Sequence, residues 1–172
     1  MSEPDNRNVA DFLERHQGIV SKIARAFAYE ANDFDDLFQE ICICLWTAMD
    51  RIPKDVKEST YVYRVALNRA ISLQRKKKSY VQSLARFWSH RSHLKTDVGC
   101  ESSKAKTDLL YTAIRQLSDS DRSLVLLYLE QHNAIQISEI LGMKPEAVRK
   151  RISRVKVKLT KLINQLENNN DH

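Results

Sequence analysis

Between Ala134 and Leu159 the chain reads AIQISEILGMKPEAVRKRISRVKVKL, a stretch that fits two helices joined by a tight turn and little else. Ile135, Ile137, Ile140 and Leu141 give the first helix a side to bury. Gly142 supplies the backbone freedom that a sharp exit needs. Pro145 stands where a second helix begins, with Glu146 beside it at the positive end of the dipole. On that helix Val148, Ile152, Val155, Leu159 and Leu162 recur at steps of three and four, so they share one face. Arg149, Lys150, Ser153 and Arg154 fall opposite, with Lys156 and Lys158 further along. A row of outer cations is often only a solvated surface. From Lys144 to Lys161, however, the only acidic residue is Glu146, whereas solvated helices mix both signs. The pattern is that of a helix-turn-helix whose second helix enters the major groove of DNA.

The rest of the chain is compatible with that motif. Its 172 residues suffice for one domain or two small ones. Only three glycines and three prolines occur, and no run alternates with period two. An all-α protein follows. Lys and Arg total 28 against 22 Asp and Glu, a formal charge of +6 that suits a nucleic-acid partner. Three cysteines, two of them Cys42 and Cys44, do not form a disulfide framework. His90, His93 and Cys100 share one segment but lack a second close-spaced ligand pair, so no metal site is expected. No Gly-rich phosphate loop or nucleophile motif appears, and neither an enzyme, a cofactor nor a small-molecule substrate is expected. No apolar run approaches ~20 residues, which predicts a cytoplasmic protein without signal peptide or membrane span.

Taken in order, the polar start MSEPDNRN reads as loose chain, followed by a helix from Val9 to about Ala31. Phe12, Leu13, Ile19, Val20, Ile23, Ala24 and Phe27 form its apolar stripe. Asp33 is the expected N-cap of the next helix, which ends before Pro53. There Phe34, Leu37, Phe38, Ile41, Leu45 and Met49 face the core, while Asp36, Gln39, Glu40 and Ile43 cluster elsewhere, extended by Trp46. Either Ile43 and Trp46 pack on another helix, or they form a docking surface. After a polar loop, a third helix spans about Thr60 to Lys77, burying Val62, Val65, Ala66, Ala70 and Leu73. Tyr61, Arg64, Asn68, Ser72 and Arg75 line its other edge. A ring interleaved with guanidinium groups suits unpaired nucleic acid. A half-buried tyrosine with solvated arginines fits equally well. From Gln82 to about Lys104 periodicity fails, which reads as a linker, with Phe87 and Trp88 as isolated rings. A helix over about Thr107 to Leu117 and a second capped by Ser118 complete a four-helix C-terminal domain. The tail from Asn168 is polar and reads as frayed.

In this order the segments resemble the extracytoplasmic-function group of bacterial sigma factors, in the sigma-70 family. DDLFQE, Asp35 to Glu40, is similar to the polymerase-binding motif of region 2. TYVYRVALNRAISLQRKK resembles the promoter-melting helix written WLYxIAxN, and LSDSDRSLVLLYL with Arg122 resembles the opening of region 4. ISEILGMKPEAVRKRISRVKVKL is similar to that region's helix-turn-helix. Tyr61, Ser118 and Ser138 stand where the family prefers Trp, Pro and Ala. Glu146-Ala147 replaces Gly-Thr, and Lys144 replaces Ser. The resemblance implies two small helical domains, 1–81 and 105–172, joined by a flexible linker over 82–104. It implies core polymerase binding by Asp35, Asp36, Leu37, Gln39, Glu40 and Ile43. Minus-ten DNA, as a single strand, would meet Tyr61, Arg64, Asn68, Ser72 and Arg75. Lys144, Arg149, Lys150, Ser153 and Arg154 would read the double-stranded minus-thirty-five element. Partners would be core RNA polymerase, promoter DNA and an anti-sigma factor able to hold the protein at the inner membrane face. A stand-alone helix-turn-helix regulator is the alternative.

Reach bears on the choice. Elements ~17 base pairs apart lie ~58 Å apart at ~3.4 Å per pair. A flexible linker of about 23 residues has a root-mean-square span near ~26 Å. Something larger must hold the domains apart, and the free protein is expected to bind promoter DNA poorly.

Overall fold

The computed structural model describes residues 6–29, 31–87 and 102–170, with side chains described over 9–29, 33–78 and 106–168. Within these, the apolar periodicity resolves into helices α1 (Asn6–Phe27), α2 (Ala31–Ala48) and α3 (Glu58–Phe87), then α4 (Ser102–Arg115), α5 (Asp119–Leu129), α6 (Ala134–Leu141) and α7 (Pro145–Asn170). A short 3-10 turn, Met49–Arg51, follows α2. The described fold is all-α, as the glycine and proline scarcity predicts. His90, His93, Cys100 and Trp88 lie outside the described residues.

Helices α1, α2 and α3 pack as a three-helix unit. Phe12, Val20, Ile23 and Phe27 of α1 meet Leu37, Ile41 and Leu45 of α2 and Val62, Ala66 and Ala70 of α3. Full burial of such side chains contributes ~1.5–3 kcal/mol each. In the second unit α7 lies against α4, α5 and α6. Its Val148 and Val155 are buried with Leu124, Leu127, Ile137 and Ile140.

Local expectations fare unevenly. Ser118 caps α5 by accepting from the Asp121 N–H at 3.3 Å. Asp33 is not an N-cap: α2 starts at Ala31, and Asp33 sits in its first turn. From there its carboxylate accepts the Tyr29 N–H at 3.3 Å and pairs with Lys77 at 2.5 Å. Ile135 is not buried either, being 56% exposed. Helix α6 opens at Ala134, capped by Asn133 in a reciprocal box with Gln136, and this start turns Ile135 outward. Helix α3 continues through 82–87, where sequence periodicity predicts irregular chain, and α7 runs on past Asn168.

The two units are not apart. Their cores form one continuous apolar cluster, with α1 against α4 and α5 and α3 against α6. Tyr63 and Leu67, absent from the expected stripe of α3, are buried at 6% and 2% exposure. Among the described residues Arg122 of α5 is the largest fully buried side chain. Its Nη2 donates to the carbonyls of Arg115 and Leu117 at 2.6 and 3.1 Å, and to the Tyr29 hydroxyl at 2.8 Å. The guanidinium also lies over the Phe27 and Tyr29 rings, at 4.8 and 5.2 Å.

Candidate nucleic-acid interface

The turn between α6 and α7 aims the basic helix. Gly142 takes φ of 66°, the left-handed conformation that lets the chain reverse, and the Met143 N–H returns to the Ser138 carbonyl at 3.2 Å. Pro145 is the first residue of α7. Burial of Val148 and Val155, with Ile152, Leu159 and Leu162 packed beside them, fixes the helix rotation. Lys144, Arg149, Lys150, Ser153 and Arg154 are consequently all exposed.

Arg151 stands in the same basic run but turns inward. Its Nε donates to Asp121 Oδ1 of α5 at 2.8 Å. Burial pushes the Asp121 carboxyl up, but hydrogen bonds from Arg151 and Ser118 outweigh it and hold the group below the usual carboxylate range. A pKa depressed on folding stabilises the α5–α7 joint above the ordinary carboxylate pKa, and that contribution fades as pH falls through the folded value. A cavity of about 420 Å³ beside this pair is lined by Arg151, Arg154 and Lys158.

The carboxylate cluster of α2 faces α3 within the first unit. Asp36, Gln39, Glu40 and Ile43 line one cavity of about 350 Å³, with Leu73, Gln74 and Lys77 of α3 opposite. Asp35, Asp36 and Gln39 are exposed, whereas Leu37 is buried and forms part of the cavity floor. Ile43 and Trp46 are 53% and 45% exposed, so neither is packed away against a neighbouring helix. Glu40 has a structural tie that periodicity does not reveal: its carboxylate pairs with Arg69 of α3. The Arg69 Nε is buried without another partner. Glu40→Ala is therefore expected to cost ~1–3 kcal/mol in urea unfolding by stranding Arg69. Gln39→Ala should stay within ~0.5 kcal/mol in the same measurement.

The α3 edge is divided. Ser72 and Arg75 are exposed, and Tyr61 is half-buried. Arg64 donates from Nη2 to the Glu139 carbonyl of α6 at 2.8 Å. Arg64 and Asn68 line a third cavity, about 670 Å³, whose other wall is Glu139–Met143 and Arg151 of the second unit. Among the described residues no group of three His, Cys, Asp or Glu side chains is arranged to hold a metal.

A family model described as Sigma-70 region 2 matches residues 12–80, and one described as Sigma-70, region 4 matches residues 107–159. The chain belongs to the sigma-70 family. Within it, the match is to the ECF group of alternative sigma factors, which serve transcription initiation. The curated relatives of this sigma factor include the RNA polymerase sigma factor NccH of Alcaligenes xylosoxydans xylosoxydans, 23% identical over 94% of this chain and 90% of that protein. The ECF RNA polymerase sigma factor SigW of Bacillus subtilis (strain 168) is 25% identical over 94% and 92%. Among solved structures the fold is similar to the sigma factor RpoE in complex with the anti-sigma factor NepR from Bartonella quintana, with a TM-score of 0.73 at 17% identity. That match covers 92% of this chain and 98% of that one. CnrH in complex with the cytosolic domain of CnrY gives a TM-score of 0.64 at 21% identity, over 94% and 90%. Both sigma-70 regions in order on one chain set aside the stand-alone regulator.

Proposed function

We propose that this sigma factor is a dissociable subunit that brings core RNA polymerase to a subset of promoters and helps to open them. The observation that carries the reading is the exposed face of α7, where Arg149, Lys150, Ser153 and Arg154 have no ion pair with an acidic side chain among the described residues and follow the left-handed Gly142 turn. In this reading that face and Lys144 read the minus-thirty-five duplex through base edges and phosphates. Tyr61, Arg64, Asn68, Ser72 and Arg75 capture the unpaired minus-ten strand by stacking and charge. Asp35, Asp36, Gln39, Glu40 and Ile43 dock core polymerase, while Leu37, buried beneath them, holds that face in place. The working division is 1–87, to the end of α3, for docking and minus-ten binding, and 102–172, from the start of α4, for minus-thirty-five binding, with 88–101 joining them.

The protein acts by redirecting an enzyme and carries no catalysis of its own. It works in the cytoplasm. Among the described residues no helix is long and apolar enough to cross a membrane. Its regulator is an anti-sigma factor, supported by the solved complex of RpoE with NepR. Transcription reconstituted from core polymerase, this chain and a promoter-containing template tests the proposal. Asp36→Ala with Gln39→Ala, which leaves the Glu40–Arg69 pair in place, is expected to lower polymerase assembly about tenfold or more, as loss of ~1.4 kcal/mol would. Unchanged assembly and transcription by that double variant would remove the docking assignment.

A further inference from the structure

We infer that Glu146 gives this sigma factor a base-specific filter: its carboxylate accepts the exocyclic amine of one cytosine in the minus-thirty-five duplex and turns away sequences that lack it. The inference deepens the proposed reading of α7 and rests on it. Glu146 is the second residue of that helix and is exposed. In a helix-turn-helix, the first residues of the second helix are the ones that reach base edges. At ~100° per residue, Glu146, Lys150 and Ser153 fall within ~60° of arc. Val157, 57% exposed, continues the same line, and the buried Val148 and Val155 point the opposite way. This line is therefore the crest of the outer face, with Arg149 and Arg154 on its two flanks.

A carboxylate on that crest is costly against most sequences. Duplex DNA carries a negative charge at roughly every 1.7 Å of its axis. Its major groove presents many acceptors: N7 and O6 of guanine, N7 of adenine and O4 of thymine. All of these repel a group that can only accept. The donors are the N4 amine of cytosine and the N6 amine of adenine. Adenine sets its amine beside N7, which suits an amide that donates as well as accepts. Cytosine has no acceptor of its own on that edge, so cytosine is the base a carboxylate selects. Discrimination then comes as much from rejection as from attraction.

Two observations keep Glu146 available for this task. Among the described residues it forms no ion pair, although Arg149 and Lys150 follow at the helical spacing that favours one. Lys144, Arg149, Lys150 and Arg154, all exposed, surround it with positive charge, so the face as a whole is still drawn to DNA. A carboxylate that only complements the positive end of the helix dipole would be indifferent to DNA sequence.

Promoter selection tests the filter. Holoenzyme assembled from core polymerase and the full chain is offered templates randomised over the minus-thirty-five segment, and the bound templates are sequenced. The unaltered protein should show one position where cytosine exceeds every other base by about tenfold or more, the effect of one good side-chain contact. Glu146→Gln should abolish that preference and favour adenine at the same position, because an amide pairs with both N6 and N7. Glu146→Ala should level the position, while binding to random duplex tightens as a negative charge leaves the face. Where alanine unsettles the helix start, as circular dichroism would reveal, glutamine has the same shape and carries the test. Equal weakening on every template with unchanged base preferences makes Glu146 a dipole partner only and overturns the filter. A cytosine preference retained in Glu146→Gln overturns it too, as does a Glu146-dependent preference for any other base. In each of those cases a selected minus-thirty-five sequence leaves the reading of α7 intact. Templates recovered with no preference anywhere in the segment would defeat that reading itself, and the filter with it.

Discussion

Replacing Arg122 with alanine is expected to destabilise the protein by ~3–5 kcal/mol, read as a lowered urea midpoint at constant slope. The side chain is 1% exposed, and its Nη2 serves the carbonyl of Arg115, the last residue of α4, and that of Leu117 just beyond it. Alanine leaves those carbonyls bare in a dry site, and each unsatisfied buried group costs ~1–3 kcal/mol. It also opens a void beneath the Phe27 ring, which adds a packing loss. Arg122→Met separates the two terms, since it fills the volume but serves no carbonyl. About half of the alanine cost should remain. An opposing effect exists: the Nε and Nη1 of Arg122 are buried without partners, a burden that methionine removes. The carbonyls are expected to win because two of them lose their partner. A methionine variant as stable as the unaltered protein would show that the relieved guanidinium outweighs them.

The second large effect is on promoter binding by the holoenzyme. Arg149→Ala and Arg154→Ala should each weaken binding at a matched promoter by ~1–3 kcal/mol, if each reads a base edge. Both side chains are exposed on the face that α7 turns away from its core stripe. Binding to random duplex should fall much less. Equal losses on matched and random duplex would make both residues phosphate contacts, with a shallower salt dependence as the signature. Arg151, though flanked by exposed cations, is expected to act through the fold, because Asp121 already holds its guanidinium.

Much of this architecture is legible in the sequence, for a physical reason. Where one side of a helix is buried, steps of three and four must appear, and α7 carries them from Val148 to Leu162. The misreadings occur where burial or capping depends on a distant partner. On α3, Tyr63 and Leu67 are covered because the second unit closes another side, through Glu130 and His132 for Tyr63, and nothing within the helix announces that. Their apolar character beside Val62 and Ala66 was the available clue to a wider buried arc. Ile135 is apolar yet exposed because Asn133 sets the helix start and therefore its phase. Among the candidate site residues, the α7 set shares one exposed face and the α2 set one cavity. Arg64 is tied to the Glu139 carbonyl of α6, and Glu40 is tied to Arg69. Those ties join positions far apart along the chain, which local periodicity cannot encode.

The uninterrupted course of α3 as far as Phe87 also limits how widely the molecule can spread. Only residues 88–101, about 14 positions, lie between α3 and α4, and at ~3.5 Å each they reach ~50 Å at full stretch. The 30 residues of α3, ~45 Å long at 1.5 Å per residue, therefore supply much of the direction of any such spread. Deleting residues between Phe87 and Ser102 would penalise promoters with wide spacers first and leave those with narrow ones nearly untouched.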